Sequence, residues 1–314
     1  MERKANTVLI ILAFFSIYVI WGSTYLLNKI AVAELPPFML ASIRFIIAGT
    51  LIFGICKILR LRTGISNLQL KNTALGGFLF LCLGNGLVVW ALKYMDSGFA
   101  ALEISAQPLV VLLLLRIIDG KKIKTMSIIG VFLGILGMYM LVSQQEVLNN
   151  KDSLIGMGMI FICLLSWAYG SIFVSKADLP ANYFVNTGYQ MLFGGIMLFI
   201  TSLLFGEQWS SPIAWSAEVQ FSMIVLIFLG SIVAFTSFNY LLKVVSPEKV
   251  ATSTYVNPII AMVLGWYFLK EQVTAQSALA ALVLLTGVYF MNTKKQLLIF
   301  SRFKGRIRRK RMVD

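Results

Sequence analysis

Two charged side chains stand inside long apolar runs of this chain: Arg44 in the run 37–57 and Glu103 in the run 98–118. At ~1.5 Å per helical residue, each sits roughly 8–12 Å below one edge of its run. A lone charge at that depth costs at least ~2.5 kcal/mol on insertion scales, so pairing or a wet cavity is expected. Two chemistries follow. Glu103 could take up and release a proton coupled to solute movement, with Arg44 as its partner or as the anchor for a carboxylate. Alternatively the two form a permanent ion pair that locks one run to the other.

Amides and aromatics complete the set. Gln107 and Asn257 each precede a proline, Pro108 and Pro258, which removes one backbone hydrogen bond and frees a carbonyl. Glu103, Gln107 and Val110 share one helical face at i, i+4 and i+7, and Ser253 and Asn257 repeat the spacing, with Tyr255 between them. Asn85 and Trp90 correspond to the region of Asn239 and Tyr240, and Trp21 to the pair Trp167 and Tyr169. A cavity of rings and amides suits an amphipathic organic solute. The opposing reading makes aromatic residues interface anchors, which we adopt for Trp209, Trp215 and Trp266.

These residues must be held by membrane-spanning helices. The chain is 59% hydrophobic, with a mean hydropathy of +0.84, and apolar runs of about twenty residues recur, each long enough to cross the bilayer as a helix. Without strict alternation such runs are helices rather than barrel strands. The predicted spans are 8–28, 37–57, 72–92, 98–118, 125–143, 154–175, 184–205, 219–242, 250–269 and 275–293. With the N-terminus inside, the outer links hold only Lys29, Lys93, Lys151 and Lys270, and Arg44 lies within a span. The other 22 of the 27 cationic residues then fall inside, so both termini are expected in the cytoplasm.

The chain also repeats itself. A shift of 150 residues sets Lys243 on Lys93, Ala251 on Ala101, Asn257-Pro258 on Gln107-Pro108, and Gly287 and Tyr289 on Gly137 and Tyr139. A shift of 146 sets Phe184, Gln190 and Gly195 on Phe38, Arg44 and Gly49. Each copy holds five spans, an odd number, so the second enters the membrane from the opposite side. The expected fold is an all-α polytopic membrane protein of ten helices in two inverted five-helix repeats, 1–149 and 150–296, followed by a basic tail, 297–314. Inverted repeats are a common architecture of secondary transporters.

The arrangement resembles the EamA family of the drug/metabolite transporter superfamily. The likeness rests on Trp21-Gly22-Ser23-Thr24, on Arg44-Phe45-Ile46-Ile47-Ala48-Gly49, and on Asn257-Pro258 through Lys270-Glu271. It implies a multi-pass inner-membrane carrier that exports amino acids, metabolites or drugs. It also implies a solute bound among spans one, three, four, six, eight and nine. The chain departs from the pattern after span four, where Asp119-Gly120-Lys121 sets Lys121 opposite Glu271.

Other classes fare poorly. There is no His, which removes the commonest proton shuttle and metal ligand. Cys56, Cys82 and Cys163 have no metal-ligand spacing and read as buried small hydrophobes. Asp96, Asp119, Asp152 and Asp178 fall at links, which disfavours an intramembrane aspartyl protease. No enzyme, cofactor or metal site is expected. A channel or facilitator without gradient coupling stays open as the alternative. The expected partners are a small-molecule solute and, for the tail, anionic lipid rather than nucleic acid. Nothing sets the oligomeric state, with which a monomer is compatible.

Overall fold

The computed structural model describes residues 7–120, 125–143 and 151–292, and among them it is helical with no strand. In chain order the helices are α1 (Thr7–Glu34), α2 (Pro37–Ile58), α3 (Asn67–Ala91), α4 (Ser97–Asp119) and α5 (Thr125–Val142). They continue as α6 (Lys151–Lys176), α7 (Tyr183–Leu204), α8 (Ala217–Val244), the composite α9 (247–269) and α10 (Ala275–Asn292). Seven of them, α1 to α4 and α6 to α8, are long and apolar enough to cross a membrane, and α5, α9 and α10 contain shorter apolar helices. Lys121 and the tail 297–314 lie outside the described residues.

Helix boundaries have local causes. Ser66 and Gln69 form a reciprocal capping box at the start of α3, and Asn182 and Ser216 cap α7 and α8 through their side chains. Four chain reversals use the left-handed region: Arg60 (φ 51), Gly120 (φ 61), Gly206 (φ 66) and Lys270 (φ 57). Gly120 and Lys270 differ by the 150-residue repeat shift, and Arg60 and Gly206 by the 146-residue shift. Helix α1 continues past Asn28 because Lys29 stays helical and donates to the carbonyls of Leu92 (2.8 Å) and Met95 (3.0 Å).

Corresponding helices pack on one another: α2 along α7, α5 along α10, and α4 against α9. The contacts come in reciprocal pairs. Gly49 faces Leu192 while Gly195 faces Ile46, and Gly137 faces Leu284 while Gly287 faces Gly134. Each pair exchanges under the corresponding repeat shift. The glycines permit this approach, because a Cβ at Gly195 would stand 2.8 Å from the Ile46 side chain and 2.9 Å from its backbone nitrogen. Close small-residue contacts of this kind drive helix association where no hydrophobic effect operates.

Both ends of the bundle are tied by hydrogen bonds. At one end Glu207 accepts from the backbone N–H of Phe38 (3.1 Å) and Met39 (2.7 Å), and Glu34 accepts from that of Ser216 (3.1 Å). Glu271 accepts from Ser97 N (2.8 Å), Ser97 Oγ (2.9 Å) and Gly98 N (3.1 Å). Each carboxylate thereby caps the positive end of a helix. At the opposite end Lys176 pairs with Asp119, and Lys243 donates to the carbonyls of Pro180 and Ala181.

Candidate functional site

The helices that carry polar groups into the apolar interior are the irregular ones. Helix α4 breaks into Ser97–Ile104 and Gln107–Asp119 around a turn at Ser105 and Ala106, since Pro108 cannot donate back to Ile104. Helix α9 tightens to a 3-10 segment, Ala251–Tyr255, just before Asn257-Pro258. Helices α3 and α8 widen into eight-residue π segments at corresponding places, Phe78–Asn85 and Leu226–Val233. Such π segments are rare and concentrate at functional sites.

A cavity of about 90 Å³ lies where these irregular stretches converge. From α1 it receives Trp21, Thr24, Tyr25 and Asn28, a face at i, i+3, i+4 and i+7, and from α2 Arg44 and Phe45. Helix α3 contributes Asn85, α4 contributes Gln107, α6 contributes Cys163 and Trp167, and α9 contributes Thr254 and Asn257. All six helices implied by the family likeness reach it, and α2 joins them. Trp167 packs edge-on against Trp21, with ring centroids 5.5 Å apart, and both meet Phe238. Phe80 and Phe235 extend this layer, so one side of the cavity is closed by interlocked rings.

Arg44 is 2% exposed. Its Nε donates to Ser231 Oγ (2.7 Å), its Nη1 to Asn28 Oδ1 (3.4 Å), and it lies 4.8 Å from the centroid of the Phe45 ring. Its Nη2 has no acceptor among the described residues. Trp21 Nε1 donates to the π-segment carbonyl of Gly230 (3.2 Å). With its amide turned to donate, Asn257 reaches the carbonyls of Tyr18 (2.8 Å), Ser253 (3.1 Å) and Ile17 (3.2 Å). It therefore both faces the cavity and satisfies backbone groups where α1 and α9 depart from regular helix.

Of the residues expected from the sequence, Trp21, Arg44, Asn85, Gln107 and Asn257 line this cavity. Others are placed elsewhere. Glu103 is buried beside it with Oε2 unpartnered, and it makes no ion pair with Arg44, so the locking-pair reading is corrected. Asn239 is spent on Thr187 Oγ1 (3.0 Å) and Gln190 Oε1 (2.9 Å), joining α8 to α7. Trp90 packs between Phe38 and Phe205, and Tyr240 against Tyr183. Tyr169 is 44% exposed and turned outward, and its neighbour Trp167 takes the lining position. Ser253 is buried away from the lumen, which Thr254 faces instead. The side chain of Tyr255 lies outside the described residues. Trp215, expected as an interface anchor, is buried in the core.

Sequence reasoning missed Asn28, Thr24 and Tyr25, although their spacing from Trp21 is a single helical face. A family model described as the EamA-like transporter family matches residues 8–143 and 154–293. The chain belongs to the EamA-like transporter family. It is 33% identical over 291 residues to the uncharacterized inner membrane transporter YedA of Escherichia coli K12, covering 91% of each chain. It is 28% identical over 301 residues to the uncharacterized transporter YvbV of Bacillus subtilis, covering 93% of each. A solved crystal structure shares its fold with a TM-score of 0.68 at 16% identity, over 91% of this chain and 97% of that one. This EamA-family chain is a multi-pass inner membrane protein of the transporter class.

Proposed function

We propose that this EamA-family protein is a secondary transporter that exports a small organic solute by alternating access. In this reading its ten helices form two inverted repeats of five, with both termini in the cytoplasm. The observation that carries it is the reciprocal contact pattern, Gly49–Leu192 with Gly195–Ile46 and Gly137–Leu284 with Gly287–Gly134, around a ring-and-amide cavity. Two similar halves related in this way can exchange conformations, opening the cavity first to one side and then to the other. The ring layer of Trp21, Phe80, Trp167, Phe235 and Phe238 supports a gated carrier over an open channel. Glu103, four residues before Gln107 across the break in α4, is the candidate for proton coupling.

The test is counterflow of a labelled amino-acid and metabolite panel into liposomes holding the purified protein, with and without a pH gradient. Saturable exchange of one compound class is expected. Glu103→Gln should abolish only the pH-driven component. A fast, non-saturating leak would support a channel and refute the carrier.

A further inference from the structure

The charge balance of the cavity narrows the solute class. Arg44 is the one residue of full charge among those lining it, the remainder being rings, hydroxyls, amides, aliphatic groups and the Cys163 thiol. A guanidinium offers five donors in a rigid fork and keeps its charge in proteins. Here Nε and Nη1 meet two neutral acceptors, and Nη2 meets none among the described residues. Among the described residues no carboxylate lies within ion-pair distance of this charge. A charge so buried is normally paired, because the desolvation it suffers is offset only by an opposite charge held in good geometry. Two lining residues, Asn85 and Gln107, each carry a buried polar atom without a partner among the described residues, Asn85 Oδ1 and Gln107 Nε2. A buried polar atom without a hydrogen bond calls for a partner, and beside the cavity a bound solute can supply one.

We propose that Arg44 is the anion anchor of the transport site and that the solute is a small monocarboxylate of net negative charge. The proposal rests on the carrier reading above and specifies its substrate. The carboxylate would meet the open edge of the guanidinium side by side, the planar geometry for which Arg is suited and Lys is not. A hydroxyl or carbonyl on the solute would meet the amides of Asn85 and Gln107. A zwitterion of equal size is disfavoured, because its ammonium finds only neutral acceptors among the lining residues and the cavity already holds a cation. The cavity, of about 90 Å³, admits a small acid such as propionate or lactate.

The experiment is equilibrium binding of labelled L-lactate to the purified, detergent-solubilised full chain at constant ionic strength. Competitors are propionate, propionamide and alanine, matched closely in size and differing in charge. Propionate should displace lactate, while propionamide and alanine should be at least tenfold weaker. Arg44→Gln should lower lactate affinity at least tenfold, and Arg44→Lys should recover part of it. Should Arg44→Gln fail to fold, Gln107→Leu leaves the guanidinium in place and should still weaken lactate severalfold. Equal competition by propionamide or alanine, unchanged affinity in Arg44→Gln, or absence of lactate binding to folded protein would overturn the proposal. Binding is measured without a membrane, so it separates from transport. A protein that binds lactate through Arg44 but exchanges nothing supports this site and refutes the carrier. Saturable exchange of cations or zwitterions alone supports the carrier and overturns the anion site.

Discussion

Replacing Glu271 should loosen the bundle at one end, and the geometry sets the size of the effect. Its carboxylate accepts from Ser97 N at 2.8 Å, Ser97 Oγ at 2.9 Å and Gly98 N at 3.1 Å. It therefore satisfies the first turn of α4 from the end of α9, in the other half of the chain. A hydrogen bond to a charged group contributes about 1.5–3 kcal/mol, and a charge at a helix N-terminus about 0.3–1 kcal/mol more. The three bonds share one acceptor group and are not independent, so Glu271→Ala should cost about 3 kcal/mol rather than their sum. At about 2–4 °C per kcal/mol for chains of 150–250 residues, the melting temperature should fall by about 6–12 °C. Glu271→Gln should fall between, because an amide keeps one acceptor but turns its NH2 toward backbone donors. Glu271→Asp should behave like Ala, being one methylene too short to span the gap. The assay is thermal unfolding of the purified protein in detergent, followed by intrinsic fluorescence. A Glu271→Ala melting temperature within about 1 °C of the wild type would refute the reasoning.

Three further outcomes follow from the same geometry. Lys270, beside Glu271, sits at φ 57; removing its Cβ relieves a left-handed conformation costing ~1–2 kcal/mol, partly offset by glycine's chain entropy. Lys270→Gly should therefore raise the melting temperature by a net ~0.5–1 kcal/mol equivalent, opposite in sign to its neighbour, and a lower value would contradict this. Gly77→Ala should lower it, since a Cβ there would stand 2.5 Å from the backbone oxygen of Gln190, whereas Gly54→Ala, with nothing within 4 Å, should not. An overpacking cost of about 1–3 kcal/mol separates the two, readable in one thermal-shift experiment. Trp167→Ala should open the ring layer between Trp21 and Phe238 and raise passive solute leak from liposomes while leaving the protein folded; an unchanged leak would remove Trp167 from the gate.

The helices were legible because hydrocarbon selects for long apolar runs, and their positions fall close to those runs. The lining was only partly legible. Asn28-Lys29 reads as the polar end of a span, yet α1 continues six residues further to Glu34 because Lys29 finds carbonyls on the link after α3. That continuation brings Asn28 to Arg44. Trp167 and Tyr169 are two residues apart, about 200° around a helix, so one faces the lumen and the other the outside. Composition alone cannot choose between them. Ser231, the partner of Arg44, is 187 residues away inside a π segment, where the usual helical spacing no longer says which way a side chain points. Glu103 was conspicuous as a charge in an apolar run, but the partners of a charge are set by tertiary packing. Packing gave Arg44 to Ser231 and Asn28 instead.

Cys163 allows the most direct test of alternating access, because it lines the cavity while Cys56 is buried elsewhere. With Cys56→Ser and Cys82→Ser leaving Cys163 as the only thiol, a small membrane-impermeant methanethiosulfonate is added to sealed vesicles of either orientation. The expected result is slow modification from each side, with a solute gradient speeding one and slowing the other. Modification from one side alone under every condition would contradict alternating access.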